Sequence, residues 1–242
     1  MIACKCKVCK SSNSRDKRLR SSILIRSAST TVVVDTTPDF RTQMLRSEVD
    51  HVDAVLFTHS HKDHIAGLDD IRAFNFFSQK PISVYANQET ADALKRDFYY
   101  AFAELKYPGI PEIDLRITGN ETFLVGDILF RPFKVKHMNM EVTAYRFGDF
   151  TYITDANHID SEAKKIIEGS HSLVINALRK EKHLSHFNLE EAIEIASELN
   201  TRQTFFTHIS HQMGLYDEVS KELPTGMYFA YDGLKLEVNN HT

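Results

Sequence analysis

The chain has 242 residues and a formal net charge of −4, with 42% hydrophobic and 26% charged residues. These values are typical of a folded globular protein with one large domain or two small ones. No apolar run approaches the roughly 18 residues that a membrane helix needs. The low glycine count, 9, disfavours a Gly-rich nucleotide-binding fold. The less ordinary features are twelve histidines and three cysteines, all three within the first nine residues.

In chain order, apolar runs bounded by turn residues predict strands interleaved with helices. The first half of the chain contains predicted strands over 22–26, 31–35 and 53–58, a helix over Leu68–Phe77, a strand over 82–87, a helix over 88–105 and a loop over Tyr107–Pro111. The second half contains predicted strands over 113–118, 121–135, 141–148 and 150–155, a capped helix over 159–169, a strand over 171–178, a helix over 188–200, a strand over 203–208 and a strand pair around Asp232–Gly233. This order predicts two sheets covered by helices, and the lack of a linker predicts one domain over 1–242.

The N-terminal segment, residues 1–26, carries eight basic side chains and one acid. Basic arms can bind nucleic acid or phosphorylated ligands, but a charge run is more often a solvated surface. No aromatic residues interleave these charges, so nucleic acid is disfavoured as a partner. The start, MIACKCKVCK, also lacks the apolar stretch of a secretory signal. We therefore expect a cytoplasmic protein with no membrane partner.

Cys4, Cys6 and Cys9 form a C-x-C-x-x-C pattern. An odd number of cysteines cannot pair fully, and three thiolates this close suit a tetrahedral zinc that needs a fourth nitrogen or sulfur ligand. The alternative is three unrelated thiols near a frayed terminus. Because all the cysteines cluster here, we favour the zinc site.

The strongest chemical signal is HSHKDH, residues 59–64, directly after a buried strand. Residues i and i+2 of an extended chain point to the same side, so His59 and His61 can bind one metal. The chain then turns, which allows Asp63 and His64 to face a second metal. Imidazole and carboxylate ligands suit zinc, iron or manganese.

Further candidate ligands share the position just after a strand, where loops present functional groups on a rigid scaffold. They are His137, Asp155 and His208. Each has an alternative interpretation, since Asp155 can cap the following helix and His137 can be an ordinary loop residue. Their shared placement favours a common metal site.

The segment THSHKDHIAGLDD, residues 58–70, resembles the signature of the metallo-β-lactamase superfamily. That resemblance implies an α+β fold, a four-layer αββα sandwich with two divalent metal ions, zinc or manganese, at the active site. It places His59, His61 and His137 on one metal, and Asp63, His64 and His208 on the other. It makes Asp155 the bridging ligand.

Five further segments resemble one branch of that superfamily, which contains the cyclic-phosphate phosphodiesterase of the carbon–phosphorus lyase pathway. They are the cysteine pattern, SNSRDKRLRSS (12–22), SHFNLEEA (185–192), THISHQ (207–212) and LPTGMYFAYDG (223–233). The resemblance implies that His211 completes a structural zinc site with Cys4, Cys6 and Cys9, within an N-terminal arm over 1–22. It also implies that His186 lies beside the substrate phosphate.

The start of the chain differs from that branch, whose members have a first strand and a Gly-rich loop ahead of the cysteines. Here Met1 lies three residues before Cys4. We therefore expect a sheet without its first strand and with an exposed edge. Three explanations for the missing strand stay open: the start is misassigned, the protein is truncated, or a neighbouring chain covers the gap.

The resemblance implies a dinuclear metal-dependent phosphodiesterase for a small, cyclic phosphodiester, in which the metals activate a water molecule. His186, Asp63 and Asp155 are the expected catalytic residues. Alternatives within the superfamily are a nuclease or RNA-processing enzyme and a thioester or lactone hydrolase. A non-catalytic zinc-binding protein is the alternative from another class. The expected partner is a small phosphorylated substrate, and a homodimer is the commonest oligomer on general grounds.

Overall fold

The computed structural model describes residues 1–105 and 107–239, which group into two compact units. The first unit is Arg20–Pro132, and the second combines Met1–Leu19 with Phe133–Thr242. The first nineteen residues of the predicted arm therefore belong to the second unit. The single domain over 1–242 stays a prediction.

The described residues form two β-sheets. The strands are β1 (Ile23–Arg26), β2 (Thr31–Val34), β3 (Ala54–Leu56), β4 (Ile82–Ala86), β5 (Ile113–Ile117), β6 (Phe123–Val125), β7 (Ile128–His137), β8 (Met140–Phe147), β9 (Phe150–Tyr152), β10 (Ser172–Asn176), β11 (Gln203–Thr207) and β12 (Met227–Phe229). One sheet has the order β1-β2-β3-β4-β5, and the other has the order β12-β11-β10-β9-β8-β7-β6. β7 runs through residue 132, where the two units divide.

The helices between the strands are short. They are α1 (Lys7–Lys10), α2 (Phe40–Arg46), α3 (Lys62–Ile65), α4 (Arg72–Ser78), α5 (Gln88–Asp97), α6 (Ser161–Ile167), α7 (Leu189–Glu198) and α8 (Tyr216–Val219). Two of them begin as the sequence predicts, because Asp160 caps α6 and Asn188 forms a capping box with Glu191 on α7. None of the helices in the described part of the chain is long and apolar enough to cross a membrane.

In the first unit, β2 to β5 are parallel and β1 pairs with β2 in the antiparallel direction. β2 and β3 are buried along their whole length, which explains why their sequences are continuous apolar runs. Phe40, Phe57 and Leu68 are among the side chains of the core beside this sheet. β1 lies at one edge of the sheet, and the absence of a preceding strand stays a prediction.

In the second unit, β9, β10, β11 and β12 are parallel neighbours, and β8 pairs antiparallel to β9. The core here includes Phe133, Ile175 and Phe206. Because the carboxyl ends of β9, β10 and β11 lie at one edge, the residues that follow these strands come together there.

Four predicted elements differ from the structure. The strand predicted over 121–135 is two antiparallel strands, β6 and β7, because the chain turns at Gly126, which has a φ of 55°. The helix predicted over Leu68–Phe77 begins as a 3₁₀ turn, and α4 starts only at Arg72.

The helix predicted over 88–105 ends at Asp97, because Phe98 leaves the helical conformation and buries its ring, and a short 3₁₀ turn follows. The strand pair predicted around Asp232–Gly233 is absent from the described residues, where β12 alone is a strand. Asp232 instead accepts a hydrogen bond from the Leu19 amide, so this segment contacts the N-terminal arm.

Candidate metal centre

The loop between β3 and α3 brings together the four ligands predicted from HSHKDH. Nε2 of His59 lies 3.0 Å from Nδ1 of His61. Nε2 of His64 lies 3.8 Å from Oδ2 of Asp63, and the ring centroids of His59 and His64 are 4.2 Å apart. Two nitrogen ligands of a tetrahedral zinc are roughly 3.3 Å apart when each Zn–N distance is about 2.0–2.1 Å. The nitrogens of His59 and His61 therefore fit one shared ion.

A buried carboxylate that the sequence motifs did not indicate, Asp35, contacts this loop. Oδ2 of Asp35 lies 2.8 Å from Nδ1 of His64. Asp35 also accepts hydrogen bonds from the Thr58 amide and hydroxyl, both at 2.8 Å. The Thr58 oxygen in turn lies 3.0 Å from Nδ1 of His59. Because the Nδ1 atoms face these oxygens, both histidines would bind a metal through their Nε2 atoms.

Asp35 has no solvent-exposed surface. Burial raises the pKa of its carboxyl above the usual value, although the neighbouring His64 and the hydrogen bonds from Thr58 act in the opposite direction. A carboxylate at this depth is stable only when it is hydrogen-bonded and faces a positive charge. A metal-binding histidine would supply the hydrogen bond, and the ion bound to it the positive charge. Asp35 directly follows the buried apolar strand β2, the same signal that identified Asp155 and His208.

In the second unit, the predicted site residues Asp155 and His208 follow strand ends, and Asp155 is in contact with two histidines. Oδ1 of Asp155 lies 3.3 Å from Nε2 of His208, and Oδ2 lies 3.2 Å from Nε2 of His186. The Thr154 hydroxyl donates to Oδ1 of Asp155 at 2.6 Å. One ligand atom from each of Asp155, His186 and His208 lies within 4.8 Å of the other two. This spacing is compatible with a metal or phosphate site.

His137 is the last residue of β7, and its Nδ1 donates to the Ser185 carbonyl at 2.6 Å. That hydrogen bond leaves Nε2 of His137 unprotonated in the neutral ring, which is the form that binds a metal. The His137 ring also meets the His186 ring edge-on, with centroids 4.6 Å apart. His137 therefore lies in the same group as Asp155, His186 and His208.

Three of the strand-end residues have backbones in the left-handed region. The φ angles are 66° at Asp35, 52° at Asp155 and 52° at His208. Non-glycine residues adopt this conformation uncommonly, and such strain is concentrated at functional sites. The left-handed backbone therefore occurs at proposed site residues of both units.

The second unit also contains the predicted cysteine site. Nδ1 of His211 lies 3.5 Å from Sγ of Cys4 and 3.5 Å from Sγ of Cys6. One ligand atom from each of Cys4, Cys6, Cys9 and His211 lies within 4.8 Å of the other three. Sulfur ligands of a tetrahedral zinc are about 3.8 Å apart for Zn–S distances near 2.3 Å. These four half-buried residues therefore fit a structural zinc ion.

The environment of Cys6 favours a thiolate. The Cys9 amide, which donates to Sγ of Cys6, and the hydrogen bond with His211 lower the pKa of the Cys6 thiol to about 6. Thiolates are the form of cysteine that binds zinc. Next to this cluster, Gln212 accepts a hydrogen bond from Arg179 at 3.1 Å, which connects the cluster to the loop that carries His186.

Comparison with known proteins identifies the family. The family model described as the β-lactamase superfamily domain matches residues 30–209, a range that contains HSHKDH, His137, Asp155, His186 and His208. A crystal structure titled as a new diphosphatase from the PhnP family is 37% identical. It aligns with a TM-score of 0.91 over 97% of this chain and 90% of that chain.

Two curated relatives carry other names. The octanoyltransferase of Porphyromonas gingivalis strain W83 is 34% identical over 237 residues, which are 97% of this chain and 48% of that protein. The exodeoxyribonuclease WalJ of Streptococcus pneumoniae is 27% identical over 130 residues, 52% of this chain and 44% of that protein. The chain thus spans about half the length of these relatives.

The matched family model covers most of the chain, and the diphosphatase structure shares its fold from end to end. The metallo-β-lactamase fold predicted from THSHKDHIAGLDD is therefore confirmed. The chain belongs to the β-lactamase superfamily domain family, has the metallo-β-lactamase fold and resembles the PhnP family.

Proposed function

We propose that this protein is a dinuclear metal-dependent phosphodiesterase that acts on a small phosphodiester, with cyclic phosphodiesters as the first candidates. The observation that carries the proposal is the 37% identity to a structure titled as a PhnP-family diphosphatase, over nearly the whole of this chain. The ligand groups within each unit support the same chemistry. A small phosphorylated substrate is the partner that this function requires.

The residues that would hold the catalytic metals follow the superfamily resemblance. His59, His61 and His137 would hold one ion, Asp63, His64 and His208 the other, and Asp155 would bridge them. When bound, two divalent ions supply an activated water and neutralise charge on the phosphoryl oxygens. Zinc and manganese both suit this set of nitrogen and oxygen donors.

The protein's own groups position the metal ligands and supply a proton donor for the substrate. Asp35 and Thr58 hold His64 and His59 through their Nδ1 atoms. The Ser185 carbonyl holds His137 in the same way. His186, whose side chain is 11% exposed, would donate a hydrogen bond to the phosphoryl group or protonate the leaving oxygen through Nε2.

The relatives' names favour two other candidate functions. The octanoyltransferase relative favours acyl thioester chemistry, because a metal-activated water also attacks carbonyl carbons. However, only 48% of that protein corresponds to this chain, so the name does not say which half transfers the acyl group. The WalJ relative favours nuclease activity, although the match covers 52% of this chain.

The test is metal analysis combined with a substrate panel. Protein loaded with zinc or manganese is assayed on bis-aryl phosphate, cyclic nucleotides, a ribosyl cyclic phosphate, a diphosphate, single-stranded DNA, RNA and an octanoyl thioester. We expect hydrolysis of the small phosphodiesters. Selective cleavage of DNA or RNA would favour the nuclease, and selective thioester hydrolysis the acyl alternative. Metal-loaded protein that cleaves nothing would favour a non-catalytic zinc-binding role.

His61→Ala and His208→Ala remove one proposed ligand from each unit. We expect each variant to bind less catalytic metal and to lose at least about 100-fold in kcat/KM, because a metal site with a missing ligand loses affinity and alignment. The matched control is His171→Ala, which removes a half-buried histidine outside the proposed site. Retention of full phosphodiesterase activity by His61→Ala would contradict the proposal.

A further inference from the structure

The Asn157 side chain connects two segments of the second unit that lie beside proposed site residues. One is the turn between β7 and β8, which begins at Met138. The other is the segment over 177–188, which has no helix or strand and contains His186. Oδ1 of Asn157 accepts a hydrogen bond from the Met138 amide at 2.8 Å, and Nδ2 donates to the Leu184 carbonyl at 2.9 Å. A single side chain therefore holds both segments.

The two partners determine the orientation of the Asn157 amide. A backbone N–H only donates and a backbone carbonyl only accepts, so the side-chain oxygen faces Met138 and the nitrogen faces Leu184. The backbone of Asn157 is also anchored, because its own amide donates to the Lys136 carbonyl of β7 at 2.8 Å. Asparagine suits this position because its short side chain carries one acceptor and one donor group.

The backbone of Met138 adopts a conformation that needs support. Its φ is 56°, in the left-handed region that costs free energy for residues other than glycine. β7 ends at His137 and β8 begins at Met140, so the turn has two residues, and such turns favour glycine where φ is positive. The Met138 side chain is 53% exposed, so its packing contributes little. The hydrogen bond to Asn157 stabilises this conformation directly.

Two consecutive carbonyls ahead of His186 are held by side chains from other segments. The Leu184 carbonyl accepts from Asn157, and the Ser185 carbonyl accepts from Nδ1 of His137 at 2.6 Å. In a segment without regular secondary structure, side chains commonly satisfy backbone groups in this way. Because Ser185 directly precedes His186, the two hydrogen bonds fix the backbone from which His186 projects.

We propose that Asn157 is a positioning residue for the proposed reaction. Its oxygen stabilises the left-handed backbone of Met138, which fixes the end of β7 where His137 lies. Its nitrogen holds Leu184, which fixes the segment that carries His186. The inference rests on the proposed function for the roles of His137 and His186. Asn157 acts through these two segments and needs no contact with the substrate.

Asn157→Ala removes both hydrogen bonds. At saturating zinc, we expect kcat on a small phosphodiester to fall by about 10- to 100-fold, the range for outer partners of a metal site. KM should stay within about two-fold, because substrate binding is not the step affected. The matched control is Asn139→Ala, which truncates an exposed asparagine of the same turn and should change kcat by less than about two-fold.

A second substitution separates positioning from general structural support. Glycine adopts the left-handed conformation without the cost that other residues bear. Met138→Gly should therefore raise the kcat of Asn157→Ala by at least about five-fold. The same substitution should have a smaller effect in the wild-type background, where Asn157 already stabilises the turn. A double variant with no more activity than Asn157→Ala would contradict the proposal.

Hydrogen exchange at the Met138 amide tests the contact without catalysis or metal. In metal-free protein, Asn157→Ala should speed this exchange by at least about ten-fold, because the amide loses its acceptor. Asn157→Asp keeps the acceptor and should leave the exchange slow. It lacks the donor to Leu184, so it should still lose kcat. Asn157→Asp also has nearly the same shape as the wild type, so it tests the proposal if Asn157→Ala lowers Tm strongly.

The outcomes distinguish this inference from the proposed function. If the wild type hydrolyses small phosphodiesters and folded Asn157→Ala keeps its kcat, the inference is wrong and the function stands. If the wild type hydrolyses no phosphodiester, the proposed function is wrong. The Met138 exchange rate then still decides the inference, because an unchanged rate in Asn157→Ala overturns it and a faster rate supports it.

Discussion

Asp35 is a buried carboxylate that acts on the metal-binding loop through one histidine. It accepts from Thr58 and faces Nδ1 of His64 at 2.8 Å. Outer partners of metal-binding histidines fix the ring orientation and raise the basicity of the ligand. We therefore expect the contact to affect metal affinity, although Asp35 itself is not among the predicted ligands.

Asp35→Asn tests this role. We expect the affinity for the catalytic metals to fall by about 10- to 100-fold, because the amide replaces the negative charge that His64 faces. Competition with a chelator of known affinity measures the change. Asp50→Asn is a matched control, since Asp50 pairs with Nδ1 of His51 at 2.7 Å on the surface of the same unit. Equal metal affinity in the wild type and Asp35→Asn would contradict the assigned role.

The turn between β6 and β7 shows how one carboxylate connects elements that are distant in sequence. Oδ1 of Asp127 accepts from the hydroxyls of Ser27 at 2.6 Å, Ser29 at 3.0 Å and Thr30 at 2.6 Å. The preceding Gly126 has a φ of 55°, and a Cβ there would lie 1.9 Å from the Thr30 hydroxyl oxygen. Position 126 therefore requires glycine. The hydrogen bonds of Asp127 hold the β1–β2 connection against this turn.

Asp127 should make stability depend on pH. The hydroxyls of Ser27 and Thr30 lower the pKa of its carboxyl from 3.8 to about 2. The folded state then binds the proton less well than the unfolded state, so the contribution is present above pH 3.8 and is lost as the pH falls towards 2. We expect Asp127→Asn to lower Tm at pH 6, with a smaller difference from the wild type at pH 2.5.

Thermal unfolding at the two pH values, in metal-free protein with a chelator present, measures this difference without interference from metal release. Ser27→Ala removes one donor and should reduce the pH-dependent difference in the same direction. A gap in Tm between the wild type and Asp127→Asn that is the same at pH 6 and pH 2.5 would contradict the role of the hydroxyl cluster.

At the scale of the whole chain, the first nineteen residues of the N-terminal arm belong to the same unit as the C-terminal half. Leu19 donates to Asp232, and the Arg15 guanidinium lies 5.0 Å from the Tyr216 ring centroid and 4.9 Å from that of Tyr231. Sγ of Cys4 lies 3.5 Å from Nδ1 of His211, which is more than two hundred residues away in sequence. A zinc ion at this cluster would stabilise the arm, because it joins two distant segments.

Removing the cluster's ligands tests the structural zinc. We expect Cys6→Ser and His211→Ala each to reduce total zinc by about one equivalent and to lower Tm, because a four-ligand site with one ligand missing loses affinity. Elemental analysis and thermal unfolding measure both effects, with His158→Ala as a surface control. Unchanged total zinc in His211→Ala would show that the structural-site assignment is wrong. The cytoplasmic location and the homodimer stay predictions.

The sequence alone determined the features that depend on neighbouring residues. HSHKDH follows a buried strand, and the loop after β3 brings its ligands together as the spacing predicts. Asp160 and Asn188 cap their helices because an N-cap contacts amides only two or three residues ahead. Continuous apolar runs identified the buried strands, since burial on both faces removes polar alternation.

Only the tertiary structure decided the features that depend on residues far apart in the chain. α5 ends at Asp97 where Phe98 enters the core, and the Tyr100 hydroxyl bonds to Asp69, 31 residues away. The predicted C-terminal strand pair is replaced by contacts with the arm. Asp35 is hydrogen-bonded to His64, which lies 29 residues later in the sequence. Local patterns cannot specify such contacts, because side-chain pairing across elements is set by packing rather than by spacing along the chain.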